Sequence, residues 1–389
     1  MFVLNNMVRD ARVTREASSL ARAGHKVTVY ALWDGDTTSR EEKNGFAIRR
    51  MPVRLRWLPK NAVCWAIKYL EWILRCAWAA VADGCQVAHG HDMSGLVPAW
   101  LVSRLTRARL VYDAHELFSE QALLSAPRLW RRLERWLIPR VDLCLSAEEN
   151  RSRILFEEYG APHLPVTIVN CPQYMDVRRT YANRDGQGPR REWARTVIYQ
   201  GGLNWERCIL ELIQSVALFP PETGLLLIGP ATEEFSRRMS QTVEGLGIEG
   251  RVKILAAVPF EVLPSITVNA DVGVLFYRNT DRNNYYCAPN KLYEYMMAGL
   301  AVVGPDFPGV RRILQGVGAG LVCNPEDPAD IGRVVNALLG DPAYLAECQQ
   351  RGLAAARETY NWECEEAKLL EAYDKLAAGG GPRPQAGQP

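Results

Sequence analysis

The chain has 389 residues, 23% of them charged and 48% hydrophobic, with a net charge of +2. That length accommodates two domains with separate cores, and the composition excludes a disordered or fibrous chain. The near-neutral total conceals a split, +7 over residues 1–180 and −5 over the remainder. A basic first half points to an anionic partner such as an acidic membrane surface, and the bias is too weak for a dedicated nucleic-acid binder.

Ten cysteines without a Cys-x-x-Cys pair read as reduced thiols in a cytoplasmic compartment. No signal peptide is expected, and no uncharged apolar run reaches about 18 residues, so a spanning helix is not expected either.

In chain order, MFVLNN (1–6) is a short strand that ends in a polar loop. Asp10 caps a helix whose apolar residues Val13, Ala17, Leu20 and Ala21 recur at helical spacing, and Gly24 stops it. HKVTVYAL (25–32) is the next strand, so the opening is a βαβ unit with parallel strands and a right-handed crossover. RLRWLPKNAVCWAIKYLEWILRCAWAAVA (54–82) interleaves Trp57, Trp65, Trp72 and Trp78 with a narrow stripe of Lys68, Glu71 and Arg75. Two readings of it stay open: a helix half-buried against the first sheet, or one lying in a membrane interface. Arg128, Arg131, Arg132, Arg135 and Arg140 extend a basic face toward anionic lipid on the second reading.

Alternation continues through VAHGHD (87–92), a helix at 98–105, ARLVYDAHE (108–116), a basic helix at 127–139, VDLCLSA (141–147) and PVTIVNCP (165–172). Polar, aperiodic residues 183–195 then read as a linker between a first domain, 1–182, and a second, 196–360. The second domain repeats the grammar with TVIYQGGL (196–203), a helix at 206–218, GLLLIG (224–229), a helix at 231–247, RVKILAAV (251–258) and DVGVLFY (271–277). APNKLYEYMMAGLAVVG (288–304) and AGLVCN (319–324) follow, then helices at 328–338 and 342–357. A last helix, 361–377, is expected to pack back on the first domain, with a disordered tail over 378–389. The fold class is α/β, two doubly wound Rossmann-like domains facing across a cleft.

Ligands of open parallel sheets bind at the carboxyl ends of the strands. Gly201 and Gly202 stand where the chain leaves a strand, and their missing Cβ atoms let backbone N–H groups approach a phosphate, with Arg207 close behind. Asn290 is expected to cap the next helix of interest, with Lys291 as its first residue and Glu294 on the same face. A lysine at a helix N-terminus is disfavoured by roughly 0.3–1 kcal/mol. Two readings stay open. One is an intrahelical pair of Lys291 with Glu294 worth a few tenths of a kcal/mol. The other is an outside anion that reverses that sign, for which a nucleoside diphosphate sugar offers phosphate to the lysine and a ribose diol to the carboxylate.

The strand–GGL…ER–helix element, DVGVLFY, APNKLYEYMMAG, AVVG and AGLVCNPEDPADI together resemble the donor domain of family 4 glycosyltransferases of GT-B fold. DARVTREASSLARAGHKVTVYAL, VAHGHD, LVYDAHE and VDLCLSAEEN are similar to the family's acceptor domain. The resemblance implies transfer of a sugar from a nucleotide donor, most often UDP-linked, with retention of configuration and with no metal, cofactor or catalytic base. It gives Arg207 and Lys291 the departing diphosphate, Asn290 and Glu294 the nucleotide, and His91 the donor sugar. Asp92, Asp113, His115 and Glu116 become candidates for acceptor hydroxyls.

Two positions depart from the pattern: Tyr286 stands where the family often has the first of two glutamates, and Gly202 replaces its usual basic residue. The string His-Gly-His-Asp lacks further ligands at zinc spacing. Implied partners are a nucleotide sugar and a glycan or lipid-linked acceptor, with peripheral membrane contact through 54–82 on the inner face of the cell membrane. Competing readings are a catalytically silent nucleotide- or sugar-binding relative and a nucleotide-sugar epimerase.

Overall fold

Each recurrence of strand, helix and glycine stop adds one parallel strand to a sheet. A computed structural model of the chain describes residues 1–121, 126–182, 192–287 and 289–379. It divides into two units, one formed by residues 1–169 with 365–389, the other by 170–364.

In the first unit the strands are β1 (Thr28–Leu32), β2 (Arg40–Lys43), β3 (Phe46–Met51), β4 (Val87–His91), β5 (Arg109–Ala114), β6 (Leu143–Ser146) and β7 (Val166–Thr167). The short opening strand reduces to Phe2, which bridges in parallel to Tyr30 and to Gly90 and so joins β1 to β4. The resulting order is β2-β3-β1-Phe2-β4-β5-β6-β7, parallel except for β2. Glycine makes the join possible, since a Cβ on Gly95 would sit 2.2 Å from the Phe2 carbonyl oxygen. Asp10 caps helix Ala11–Arg22 as expected, its side chain accepting from the Val13 N–H.

The second unit holds β8 (Arg195–Gln200), β9 (Thr223–Ile228), β10 (Val252–Leu255), β11 (Val272–Val274), β12 (Ala301–Pro305) and β13 (Gly320–Cys323). All are parallel, in the order β10-β9-β8-β11-β12-β13. β9 and β12 are buried along their whole length, which explains their unbroken apolar runs. The strand order reverses between β8 and β11, and loops at such a switch point diverge to leave room for a ligand.

The chain passes from the first unit to the second after Val169, ahead of the linker placed at 183–195. Helix Val177–Ala182 belongs with the second unit, where Arg178 donates to the Gly299 carbonyl at 2.5 Å. Residues 183–191 lie outside the described residues, and Trp193 already packs on Gly224 and donates to the Gly250 carbonyl. The last helix runs from Trp362 to Ala377. From Glu365 onward it belongs to the first unit, with Glu365 accepting from the Val169 N–H and the Tyr373 hydroxyl 2.6 Å from His89 Nδ1. Of the expected tail, 380–389 lies outside the described residues.

Candidate active site

The second unit assembles its polar centre at the switch point. β8 ends at Gln200, and Gly201 turns the chain at φ +127°. A Cβ there would lie 2.7 Å from Cε of Lys291, so glycine lets the lysine reach the strand end. The Gly201 N–H donates to the Ile228 carbonyl, which corrects its expected part in anion binding. The Gly202 N–H has no partner among the described residues, while its carbonyl accepts from the Tyr199 hydroxyl at 3.0 Å.

Arg207 ends a 3-10 turn, Trp205–Arg207, just before helix Ile209–Ser215. Its guanidinium carbon lies 3.9 Å from the centroid of Tyr277, the residue that carries the chain out of the β11 side of the switch. Lys291 Nζ lies 5.5 Å from the same ring and 4.6 Å from the Tyr199 ring, and donates to the Tyr199 hydroxyl at 3.2 Å. Two cations thus flank one tyrosine, and neither has a carboxylate within 4.0 Å among the described residues. Arg207 Nη1 is buried without a partner among them. Burial, then the charge of Arg207, pulls the Lys291 ammonium down to about 7.

Helix Asn290–Ala298 carries Lys291 and Glu294. The expected cap shifts by one residue: Pro289 occupies it, and Asn290 is the first helical residue. Proline at that point supplies no side-chain acceptor, so the first-turn N–H groups lack a side-chain cap. Glu294 Oε2 accepts from Gln200 Nε2 at 2.5 Å. Tyr286 follows the short helix Arg282–Tyr285 and stacks edge-on against Tyr285, ring centroids 5.0 Å apart.

Tyr199, Tyr277, Gln200 and Thr267 were not among the residues singled out from sequence. The one available signal was position, since Tyr199 and Gln200 end a strand already suspected and Tyr277 ends the motif DVGVLFY.

In the first unit, His91, Asp92, Asp113 and His115 come together at the carboxyl ends of β4 and β5. Asp113 is fully buried and receives two hydrogen bonds from Arg12, at 2.9 and 2.6 Å, besides contacts with His91 (3.2 Å) and His115 (2.8 Å). Burial alone would raise its carboxyl, but Arg12 and His115 hold it well below the usual range. His115, with Asp92 and Asp113 on either side, rises to about 10 despite burial. Burial drops His91 to about 4, so at neutral pH it donates from Nδ1 to Asp113 and presents Nε2 as an acceptor. Glu116 is exposed and receives a hydrogen bond from Gln121.

Glu16, His89, His91 and Asp113 also offer four ligand atoms within 4.8 Å of one another. Arg12 already supplies the cation there, its Nε 3.0 Å from Glu16 and its Nη2 2.6 Å from Asp113. A divalent ion would set a second positive charge beside the first in a water-free interior.

On helix Ala62–Ala82, Trp72, Ile73 and Cys76 are buried, whereas Val63, Trp65, Leu70, Leu74 and Trp78 are exposed. The charged stripe does not face water as a polar edge: Glu71 accepts from the N–H groups of Arg54 and Leu55, Arg75 pairs with Glu71, and Lys68 donates to the Leu58 carbonyl. The outward surface is therefore apolar, and it continues through the Trp65–Trp130 contact to exposed Leu129 and Trp136 on helix Pro127–Leu137. Among the described residues no helix is long and apolar enough to cross a membrane.

Residues 11–172 match the family model described as Glycosyltransferase Family 4, and residues 194–341 the model described as Glycosyl transferases group 1. Similar solved structures include sucrose-phosphate synthase from Thermosynechococcus elongatus (TM-score 0.77, 17% identity, 95% of this chain and 93% of that one). HepE of Anabaena, in complex with UDP and glucose, aligns with TM-score 0.70 and 16% identity over 96% of this chain and 98% of its own. At such identities the likeness is one of fold, which is the two-domain GT-B architecture. The chain belongs to glycosyltransferase family 4, and is a transferase. Chitobiosyldiphosphodolichol beta-mannosyltransferase of Candida albicans is 21% identical over 159 residues, 40% of this chain and 34% of that protein's length.

Proposed function

We propose that this glycosyltransferase moves a sugar, with retention of configuration, from a nucleoside diphosphate donor to a hydroxyl of a glycan or lipid-linked acceptor. The observation that carries the reading is the pair Arg207 and Lys291, held on tyrosine rings with no carboxylate within 4.0 Å among the described residues, the lysine at the start of a helix lacking a side-chain cap. As the sugar–phosphate bond breaks, charge grows on the departing diphosphate. Fixed cations and N–H groups aimed at it stabilise the transition state more than the ground state, so no metal or base is required of the protein. Glu294 accepts from the ribose hydroxyls. UDP is the first carrier to try, supported by the UDP found with the fold relative HepE.

A thermal-shift panel of nucleoside diphosphates, followed by transfer assays with and without EDTA, tests this. Stabilisation by one diphosphate and EDTA-insensitive transfer are expected, and sensitivity restored by added metal would contradict the metal-free mechanism. Glu294→Ala should weaken nucleotide binding by about 1.5–3 kcal/mol, and unchanged calorimetric affinity would remove it from the ribose.

The acceptor reading rests on the apolar outward face of helix Ala62–Ala82, where Trp78 is 76% exposed and Trp57, just ahead of the helix, 77%. Exposed Arg54, Arg56 and Lys60 adjoin Trp57 in sequence, and exposed Arg128 and Arg132 flank Trp130, a composition suited to an anionic lipid surface. Flotation with phosphatidylglycerol vesicles should carry the protein upward, and Trp78→Glu with Leu74→Glu should leave it at the bottom. Wild-type protein that stays down would defeat the membrane role.

A further inference from the structure

Gln200 is the last residue of β8 and is 3% exposed. Its Oε1 accepts from the Thr267 hydroxyl at 2.7 Å, and its Nε2 donates to Glu294 Oε2 at 2.5 Å. The amide has one consistent orientation, because a carboxylate only accepts and must face the NH2 group. That leaves the amide oxygen toward the Thr267 hydroxyl, whose single proton also has the Leu263 carbonyl at 2.9 Å. The backbone of the same residue is tied to the same helix: its N–H donates to the Tyr295 hydroxyl at 3.0 Å, which in turn donates to the Val274 carbonyl at 3.2 Å. One buried glutamine therefore registers two consecutive residues of helix Asn290–Ala298 against the strand end.

We infer that Gln200 is the positioning residue for the nucleotide's ribose, locking one oxygen of Glu294 against Thr267 so that the carboxylate holds a fixed angle toward a vicinal diol. This rests on the ribose role proposed for Glu294. A glutamate side chain has three rotatable bonds, and an unrestrained one must be ordered by the ligand at a cost in affinity. Gln200 orders it before the ligand arrives. The carboxylate itself keeps the amide from turning, since the turned amide would set its oxygen against Glu294 Oε2, two acceptors facing each other in a buried site, while Thr267 anchors the far end. Neither Gln200 nor Thr267 touches reacting atoms in this scheme, so their influence falls on donor affinity and on discrimination between ribose and deoxyribose, with turnover largely spared.

The test compares calorimetric affinities of the wild type, Gln200→Leu and Gln200→Glu for UDP, 2′-deoxy-UDP and 3′-deoxy-UDP, or for the GDP series should UDP not bind. The wild type should prefer the ribonucleotide by roughly tenfold or more, and Gln200→Leu should reduce that preference to within about twofold while kcat at saturating donor changes less than about threefold. Gln200→Glu keeps the shape but sets a second carboxyl against Glu294. Relative to the wild type at each pH, donor affinity should then be poor at pH 8 and recover toward pH 6, as the two carboxyls come to share a proton. Lys291, which faces Glu294 from the preceding turn, and Tyr295, on the backbone of residue 200, are the other titratable neighbours and are unaltered. A wild type that prefers ribose beside a Gln200→Leu variant that prefers it equally would overturn the positioning role and leave Glu294 on the ribose. A wild type indifferent to the deoxy analogues would overturn the ribose reading itself. Should Gln200→Leu fail to fold, the isosteric Gln200→Glu decides: a loss of affinity between pH 6 and 8 no steeper than the wild type's overturns the inference.

Discussion

Arg12 and Arg207 sit at equivalent places in the two units, each in the segment that follows the central strand of a doubly wound sheet, yet they are held in opposite ways. Arg12 is 3% exposed, grips Asp113 through two hydrogen bonds and touches Glu16. Its charge is answered within the fold. Arg207 lies on the face of Tyr277 beside a second cation, and among the described residues no carboxylate lies within 4.0 Å of either. A cation saturated by its own chain is part of the architecture; one held by an aromatic ring keeps its field for something that arrives. Aromatic faces orient a guanidinium while neutralising it little, which makes tyrosine a suitable holder for an anion site.

The contrast predicts a loss of fold on one side and a loss of chemistry on the other. The largest effect is expected at Arg12. Replacement by alanine leaves the Asp113 charge buried without its main partner and should cost about 3–5 kcal/mol of stability. Denaturant unfolding of the full chain measures it, and a loss below about 1 kcal/mol would mean that Asp113 is satisfied by its histidines alone.

Arg207→Ala comes next and should act in the other sense. Turnover is expected to fall about 10²–10³-fold, as for removal of one fixed donor from a developing anion. Unfolding midpoints should move little, because no buried carboxylate loses its partner. A folded variant with near wild-type turnover would return Arg207 to the ordinary surface cations and dissolve the contrast.

Lys291 sharpens the comparison through pH. With its ammonium held at about 7 by burial and by Arg207, the amine of the free protein is largely neutral above that value. A bound diphosphate favours the charged form, so binding takes up a proton and affinity declines as pH rises. From pH 7.5 to 9 the ligand's own phosphate is already fully ionised, which leaves the lysine as the titrating group. The dissociation constant should climb by up to about tenfold per pH unit in the wild type, and Lys291→Arg should flatten the climb. Equal slopes in both proteins would take Lys291 away from the phosphate.

How legible this was from sequence differs by the range of the interaction. Alternating strands and helices, the Gly201 turn and the Lys291–Glu294 spacing are local patterns, and most elements stand close to where the pattern put them. The helix expected at 98–105 already begins at Asp92, however, and strands β2 and β3 were not expected. The tyrosine rings and Gln200 act on helix Asn290–Ala298 from strand ends far away in the chain, a juxtaposition that exists only once β8 and β11 are neighbours. The stripe Lys68–Glu71–Arg75 left two readings open because helical spacing says which residues share a face, not what packs on it. What packs there is the preceding turn, whose N–H groups use Glu71 as acceptor. The unit boundary moved for a similar reason, since Arg178 reaches the Gly299 carbonyl through a contact no composition shift announces.

The smallest effect concerns the ring between the two cations and tests the aromatic holder directly. Tyr277→Phe keeps the π face and removes only the hydroxyl, so Arg207 and Lys291 stay in register and kcat/KM should remain within about twofold of wild type. Tyr277→Leu keeps apolar bulk and removes the π face. A cation–π contact of about 0.5–1 kcal/mol is lost for each of the two cations, and kcat/KM should fall roughly five- to thirtyfold. Equal activity in the phenylalanine and leucine variants would mean that the ring only fills space. A phenylalanine variant as impaired as the leucine one would instead place the Tyr277 hydroxyl in contact with the donor and make the ring a ligand in its own right.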